Sequence, residues 1–533
     1  MIPFTWNWRH WTGLPLLGLL LLCLAALSVL SLQYRYGIGV TPDSAYFVSA
    51  ADSLLSGNGL TTNIDGVRSP LTHHPPLYPS LLAAGRAIDG SLFLAATTIN
   101  FISLLACVLA VYIFITQNAS PGWAVVAALV LACSTGFYAV HYFLETDGPA
   151  IPFMLAGICW LSEFERTKQS RNALYAGLAL SAAALIRYAY LAFIPAACLV
   201  IVLDTGIARR KRLQSALLLA AFACGPVFIA ILHNVLVGGS ATNRILAIHL
   251  IGLPRLEEGA DYLSSWLLPY RFPILVRSVI LGAAGSFGIV LAIRSRLKNA
   301  LRITACFLLA YIGLLVVSIS FFDRATPLDE RLLTPAIVLL CIHLTLVCSW
   351  LWSRPSRAVR IAAAIFVLLP CCVGLMRLLP ETAVLYKFEN QGHSVSELRD
   401  DFRNVLPILR GLPANATIYS NVANDIYLVS NRAARNLPTV DGYTDGRPRT
   451  EAEISAQVGG MEKTLSASGG LVIYELRRPT LFDLSLIRGD DLCRRIPLKA
   501  VFRSGKFIAY RIVTPRTARG VSTAYGKSGA IAH

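Results

Sequence analysis

The chain has 533 residues, 55% of them hydrophobic and only 14% charged, with a formal net charge of +17. Soluble domains carry about a quarter charged residues, so the composition excludes an ordinary soluble globular protein. The excess charge does not point to nucleic acid: it falls in short stretches between apolar runs, with no basic surface interleaved with aromatics.

The first apolar run, 14–32, contains no charged side chain. At about 1.5 Å per residue it crosses a hydrocarbon core of about 30 Å. Arg9 precedes it and no small-residue cleavage site is evident, which reads as an uncleaved signal anchor. Ten further runs read as crossings: 92–116, 123–140, 149–164, 173–187, 188–203, 213–237, 274–293, 303–321, 333–352 and 361–379. The stretch 173–203 is too long for one helix, and cationic clusters flank it on both sides. Two short helices turning at Arg187-Tyr188 satisfy that. The fold class expected is an all-α polytopic bundle of about eleven helices over 1–379, followed by a soluble α/β domain.

The cations sort to one side. Arg166/Lys168/Arg171, Arg209-Arg210-Lys211-Arg212, Arg294/Arg296/Lys298/Arg302 and Arg354/Arg357/Arg360 fall in alternate loops, as the positive-inside bias requires of cytoplasmic loops. The N-terminus is then inside. The outer face receives 33–91, the turn 142–148, the loop 238–273, the segment 322–331 and everything beyond 380. The expected location is a plasma membrane, crossed many times, with the C-terminal domain extracytoplasmic.

In the first outer loop, Thr41 suits a helix cap, Pro42 the first helical position and Asp43 the first turn. Tyr46/Phe47, Ala50/Ala51 and Leu54/Leu55 recur at helical spacing, and Gly57-Asn58-Gly59 ends the helix. The loop 238–273 is long for a connection, carries an apolar stretch at 245–253, and reads as a lid. After Pro380 the apolar runs shorten to strand length at 417–419, 471–474 and 507–512, while 401–409 and 451–465 look helical. The soluble domain is placed at 380–514 and a disordered tail at 515–533. Eleven of the twelve cysteines lie in or beside apolar runs, Cys493 being the exception, and read as small buried hydrophobes.

Acidic residues are rare before position 380, and Asp43, Glu145 and Asp147 all fall on the outer face. One carboxylate there can take a proton from an attacking hydroxyl. Others can orient it or, with His74, hold a divalent cation; Glu145, Asp147 and His74 are the candidate ligands if a metal is used. Arg187, Arg244, Arg271, Arg277, Arg324 and Arg331 are the outer cations, and guanidinium forks suit phosphate oxygens. His73 and His74, before Pro75-Pro76, are candidate phosphate donors. Ordinary structural roles compete with each: a helix-start acid at Asp43, a cap at Asp147, snorkelling or ion-paired arginines, a proline-bounded turn at the histidines.

Read in order, Thr41-Pro42-Asp43, Gly57-Asn58-Gly59-Leu60, His74-Pro75-Pro76-Leu77-Tyr78-Pro79, Glu145-Thr146-Asp147, Leu185-Ile186-Arg187-Tyr188 and Asp329-Glu330-Arg331-Leu332-Leu333-Thr334-Pro335 form a familiar set. It resembles the GT-C membrane glycosyltransferases, in the branch of protein O-mannosyltransferases and the lipid A aminoarabinose transferase. The resemblance implies a helical bundle with juxtamembrane helices in the first loop and a polyprenyl-phosphate sugar donor. It also implies a glycan, lipid or protein acceptor. By position, Asp43 resembles the acceptor-side aspartate, Glu145 and Asp147 the second acidic loop, and Arg331 the arginine before a late span. Arg187, Arg244, Arg271, Arg331, His73 and His74 are the expected donor-phosphate and lipid contacts. Many relatives have two adjacent acids in the first loop, whereas Asp43 is followed by Ser44. A transporter and a lipid-linked polysaccharide polymerase or ligase are the competing readings.

Overall fold

The computed structural model describes residues 13–244, 246–294, 298–322, 326–384, 393–441, 447–476 and 485–513. Arg9, Ile245, Arg324 and the tail after 513 lie outside the described residues. Packing divides the chain into two units, one of residues 1–62 and 69–397, the other of 63–68 and 398–533.

The first unit opens with α1 (Leu14–Gln33), followed by a 3₁₀ turn and a two-residue strand, β1 (Gly39–Val40). Helix α2 (Pro42–Leu55) starts where the sequence places it, with Pro42 in its first turn and Thr41 as N-cap. After β2 (Thr61–Thr62) and β3 (Ser69–Pro70), an antiparallel pair, comes α3 (Leu77–Asp89). Helix α4 (Leu92–Asn118) is followed by α5 (Pro121–Ala132) and α6 (Thr135–Tyr142). Then come α7 (Asp147–Thr167), α8 (Ser170–Ile186), a 3₁₀ turn over Tyr188–Ala192, α9 (Phe193–Val202) and α10 (Arg209–Gly238). The bundle continues through α11 (Leu253–Leu267), α12 (Ile274–Arg294), α13 (Lys298–Phe321), α14 (Glu330–Trp352) and α15 (Arg357–Val384).

Among the described residues, seven helices are long and apolar enough to cross a membrane: α1, α4, α10, α12, α13, α14 and α15. The α5–α6 pair, bent by 63°, makes an eighth if it is one span. The crossings expected at 149–164, 173–187 and 188–203 are helical too, as α7, α8 and α9, but miss that standard of length and apolarity. Polar helix ends and the break at Arg187 are the reason. The α5–α6 bend comes at Cys133-Ser134, where Ser134 takes an extended backbone. The Tyr138 hydroxyl donates to the freed carbonyl of Ala132 at 2.8 Å, which stabilises a break in low dielectric.

Helix α14 is the hub: 94% of its membrane-length stretch is buried, against 17% for α1 and α12. The two lightly covered helices present apolar side chains outward, such as Leu20 and Leu24 of α1 and Leu275, Val279 and Ile289 of α12, as a lipid-facing surface requires. Phe193 of α9 stacks on Phe307 and Tyr311 of α13, with ring centroids 5.1 and 5.5 Å apart. At the end of α7 remote from Asp147, buried Glu165 accepts from Arg302 at 2.8 Å and pairs with Lys168, which also pairs with Asp204. That network clamps together the ends of α7, α9 and α13.

After α15, β4 (His393–Ser394) returns to pair antiparallel with β1, Val40 against His393 and Gly39 against Ser394. Helix α16 (Val395–Asp401) follows, then α17 (Leu406–Gly411). The single helix expected at 401–409 is thus split, because Pro407 lacks the N–H that would continue the ladder.

The second unit is α/β. Its elements are β5 (Ile418–Ser420), α18 (Ala423–Ser430), β6 (Arg435–Asn436), α19 (Glu451–Ser468), β7 (Leu471–Glu475), α20 (Gly489–Arg495), β8 (Leu498–Ser504) and β9 (Phe507–Ile512). The sheet order is β6-β5-β7-β9-β8. The first three strands are parallel, and β9 and β8 are added antiparallel. Ile454, Val458, Met461 and Leu465 recur at helical spacing on α19 and close the core over Tyr419 and Val472. Thr450 and Glu453 form the capping box that starts this helix.

Candidate active site

The site is assembled from two chain segments about a hundred residues apart. Backbone contacts bring them together first. Leu144 donates its N–H to the Gly39 carbonyl at 2.8 Å, and Gly39 bridges Phe143. A Cβ on Gly39 would lie 2.5 Å from the Phe143 ring and 2.6 Å from Tyr142, so only glycine permits this approach. Ser44 then ties α2 to the same segment. Its hydroxyl donates to the Leu144 carbonyl at 2.8 Å and accepts the Thr41 N–H at 2.9 Å. Ser44, directly after Asp43, is therefore the stitch that fixes the loop of Glu145 and Asp147.

Two more polar contacts hold that loop from inside the bundle. Asn100 of α4, fully buried, donates to the Phe143 carbonyl at 2.9 Å and to the Tyr34 hydroxyl at 3.0 Å. Tyr34 in turn donates to the His141 carbonyl. A Cβ on Gly148 would sit 2.5 Å from the Val140 carbonyl, so the start of α7 packs directly on the end of α6.

The three predicted acids are brought to one place and then differ. Glu145 and Asp147 are each 1% exposed, whereas Asp43, in the first turn of α2, stays open to solvent. Thr41 donates its hydroxyl to Glu145 Oε1, and Arg331 lies 3.4 Å from the same oxygen. Arg331 also pairs with Asp329, the N-cap of α14, at 3.4 Å. Arg187 donates to Asp147 Oδ2 at 2.9 Å and to the Thr146 hydroxyl at 3.2 Å. The sequence expectation of a turn at Arg187 explains its reach: α8 stops at Ile186, and Arg187 is extended between two short helical pieces.

Although Asp43 reaches solvent, the protein around its carboxyl desolvates it in part and acts to raise it; the surroundings of His74, Arg331, His73 and Arg187 outweigh this, and the group falls below the usual aspartate range. Burial takes the His74 imidazole down to about 4. His74 is therefore neutral near pH 7, and the arginines are what keep Asp43 ionised there. Burial, with Asp43 adding to it, lifts Glu145 to about 8. At neutral pH the neighbouring carboxyls thus carry one negative charge at Asp43 and one proton at Glu145. Two carboxyls in one site settle this way because both cannot ionise cheaply.

His73 and His74 stack edge to face, with centroids 4.9 Å apart, and His74 also packs on Phe47 at 4.7 Å. Arg244 acts electrostatically on His74 and on Tyr188. Arg271 lies over the Phe272 ring at 5.5 Å and is not among the main charges acting on Asp43. Arg277 is 3% exposed and paired with Asp261 of α11, so it is a structural residue rather than an open phosphate contact. The expected metal trio of Glu145, Asp147 and His74 does not assemble. Among the described residues no three His, Cys, Asp or Glu side chains gather as a metal site, because the two acids are engaged by Arg331 and Arg187.

Sequence reasoning missed Thr41 as a partner of Glu145, and missed Tyr34, Asn100 and Tyr78. Tyr78 is fully buried beside Glu145, and its hydroxyl has no partner among the described residues. Asn100 left a usable signal: an amide in the middle of an otherwise apolar crossing is costly and marks a specific contact.

Residues 73–232 match the family model described as dolichyl-phosphate-mannose-protein mannosyltransferase. This protein has the GT-C fold of integral-membrane glycosyltransferases. Among solved structures it is similar to apo ArnT from Cupriavidus metallidurans, at 12% identity over 92% of this chain and 97% of that one, with a TM-score of 0.57. ArnT bound to undecaprenyl phosphate matches with 13% identity over the same shares and a TM-score of 0.51. AglB, the oligosaccharyltransferase of Archaeoglobus fulgidus in complex with an inhibitory peptide and a dolichol-phosphate, matches at 13% identity over 88% of this chain and 70% of that one, with a TM-score of 0.54. No curated protein sequence matches the chain.

Proposed function

We propose that the protein moves a sugar, with inversion, from a polyprenyl-phosphate donor to an acceptor hydroxyl on the extracytoplasmic face of the bacterial inner membrane. One observation carries the reading: of three acids gathered at one membrane face, Asp43 is the one that is open to solvent and makes no ion pair among the described residues. Asp43 takes the proton of the acceptor hydroxyl as the oxygen bonds to the anomeric carbon. The bond from that carbon to the phosphate oxygen breaks, and polyprenyl phosphate leaves with the electron pair. Arg331, Arg187 and Arg244, with His73 and the neutral His74 as hydrogen-bond donors, meet the phosphate charge. No step is assigned to a metal ion. The fold relatives captured with undecaprenyl phosphate and with a dolichol-phosphate support the donor class.

A transporter would place its acids near the bilayer midplane. Here they sit at helix starts, and the far ends of α7, α9 and α13 are clamped by Glu165, Arg302, Lys168 and Asp204.

Arg331→Ala tests the donor side. It removes a ground-state contact, so donor affinity falls more than turnover of bound donor. Titration of purified protein with a polyprenyl-phosphate sugar reads this directly, and unchanged affinity would remove Arg331 from the phosphate site.

The Glu145 proton gives a second test. A carboxyl whose folded-state value is raised keeps its proton in the native chain while the unfolded chain loses it. Its contribution to stability is therefore present at low pH and lost between about 4.5 and about 8. Above about 8 a second negative charge faces Asp43 and the incoming phosphate. Turnover is expected to fall through that pH, and Glu145→Gln should flatten the alkaline limb while gaining stability over wild type as pH rises. An alkaline limb of the same position in Glu145→Gln would show that another group governs it.

A further inference from the structure

Helices α4 and α7 run side by side in the same direction. Asn100 of α4 reaches the Phe143 carbonyl at the active-site end, and Asn118 reaches the Ser162 hydroxyl at 3.0 Å at the other. Between them an open groove of about 240 Å³ follows their outer flank. Ala106, Ala110 and Ala156 leave the space, and Trp160 walls it. The lining runs from Ala106 to Gln117 on one helix and from Pro152 to Glu163 on the other. That is about 16 Å at 1.5 Å per residue, close to half of a hydrocarbon core of about 30 Å.

The groove ends in polar groups only on the side away from Asp43. Gln117 Oε1 is buried there without a partner among the described residues. Glu163 holds Arg166 at 2.7 Å, the Arg166 side chain being 60% exposed, and Arg171 is exposed at the start of α8. An apolar slot one leaflet long, ending at a buried amide and the Glu163–Arg166 ion pair with exposed Arg171 on the next helix, matches a chain with a phosphate head.

We propose that this groove is a structural lipid site, holding one acyl chain of a phospholipid from the leaflet opposite the active site, with its headgroup phosphate beside Arg166 and Arg171. The donor's isoprenoid tail is the wrong occupant, because its phosphate belongs at the Asp43 face. The site is independent of the transfer reaction, and its failure would leave the proposed chemistry untouched.

The test uses the full chain in nanodiscs of phosphatidylglycerol carrying bromine on one acyl chain. The Trp160 contribution is taken as wild type minus Trp160→Phe. Most of that emission is expected to be lost in brominated lipid, and native mass spectrometry of detergent-purified protein should show one retained phospholipid. Ala156→Phe fills the groove, and Ala110→Leu narrows it with less risk to folding. Either should restore the Trp160 emission and abolish the retained mass. Undiminished Trp160 emission in brominated lipid, quenching that persists in both groove-filling variants, or retention of a polyprenyl phosphate instead would each overturn the assignment.

Discussion

Asp43→Asn is expected to lower sugar transfer by about 10²- to 10⁴-fold, the usual worth of a positioned general base. The substitution keeps the shape of the first turn of α2 and removes only the basicity. Donor binding should survive it, because the phosphate contacts come from other segments. Membrane insertion should survive as well, since the residue is solvent-exposed and its helix is capped independently by Thr41 and Ser44. The measurement is single-turnover transfer with purified protein and saturating donor, which separates the chemical step from binding. Near-normal transfer by Asp43→Asn would reduce Asp43 to a helix-start residue. Glu145 and Asp147 are poor substitutes, being buried and engaged.

The second large effect is on stability. Arg187→Met should destabilise the fold by about 3–5 kcal/mol, the cost of breaking a buried ion pair from one side. It leaves the Asp147 carboxylate, 1% exposed, without the cation that holds Oδ2, while Oδ1 already lacks a partner among the described residues. Asp147→Leu alone should cost less, since Arg187 is 23% exposed and can turn to water. The double variant should recover most of the loss, because neither charge is then stranded. Thermal unfolding of the three variants in one detergent gives the cycle. If Arg187→Met melts with wild type, the pair is not what holds the second acidic loop.

Much of the architecture was legible because membrane crossings and caps are local signals. The run at 14–32, the cap-proline-aspartate start at Thr41 and the break at Arg187-Tyr188 all depend on residues within one or two turns. The gathering of Asp43, Glu145 and Asp147 was reachable from topology alone, since alternation of crossings puts them at one face. What escaped was whatever depends on a distant partner. Helix α11 hides in the loop 238–273 because its apolar residues form only a narrow stripe, and the loop was read through its leucine and isoleucine content. The different fates of the three acids are set by Thr41, Arg331 and Arg187 across 41 to 186 positions of sequence, and no spacing rule encodes those pairings. The same holds for Arg277, which looked like a phosphate contact until Asp261 was found against it. The metal trio failed for this reason too, because two of its members had already been claimed by arginines.

The pairing of β1 with β4 bears on how the protein is made. Gly39 and Val40 lie at the entrance to α2, yet their strand partners are Ser394 and His393. At a synthesis rate of about 5–20 residues per second, the second strand leaves the ribosome roughly 20–70 seconds after the first. Over that interval the bundle helices can enter the membrane one by one, while the edge of β1 waits with its hydrogen-bonding groups open. The loop that leads into α2 is thus completed near the end of translation rather than at its start. A chain stalled or cut before residue 393 would carry every crossing and still lack the strand that pairs with Gly39 and Val40 ahead of α2.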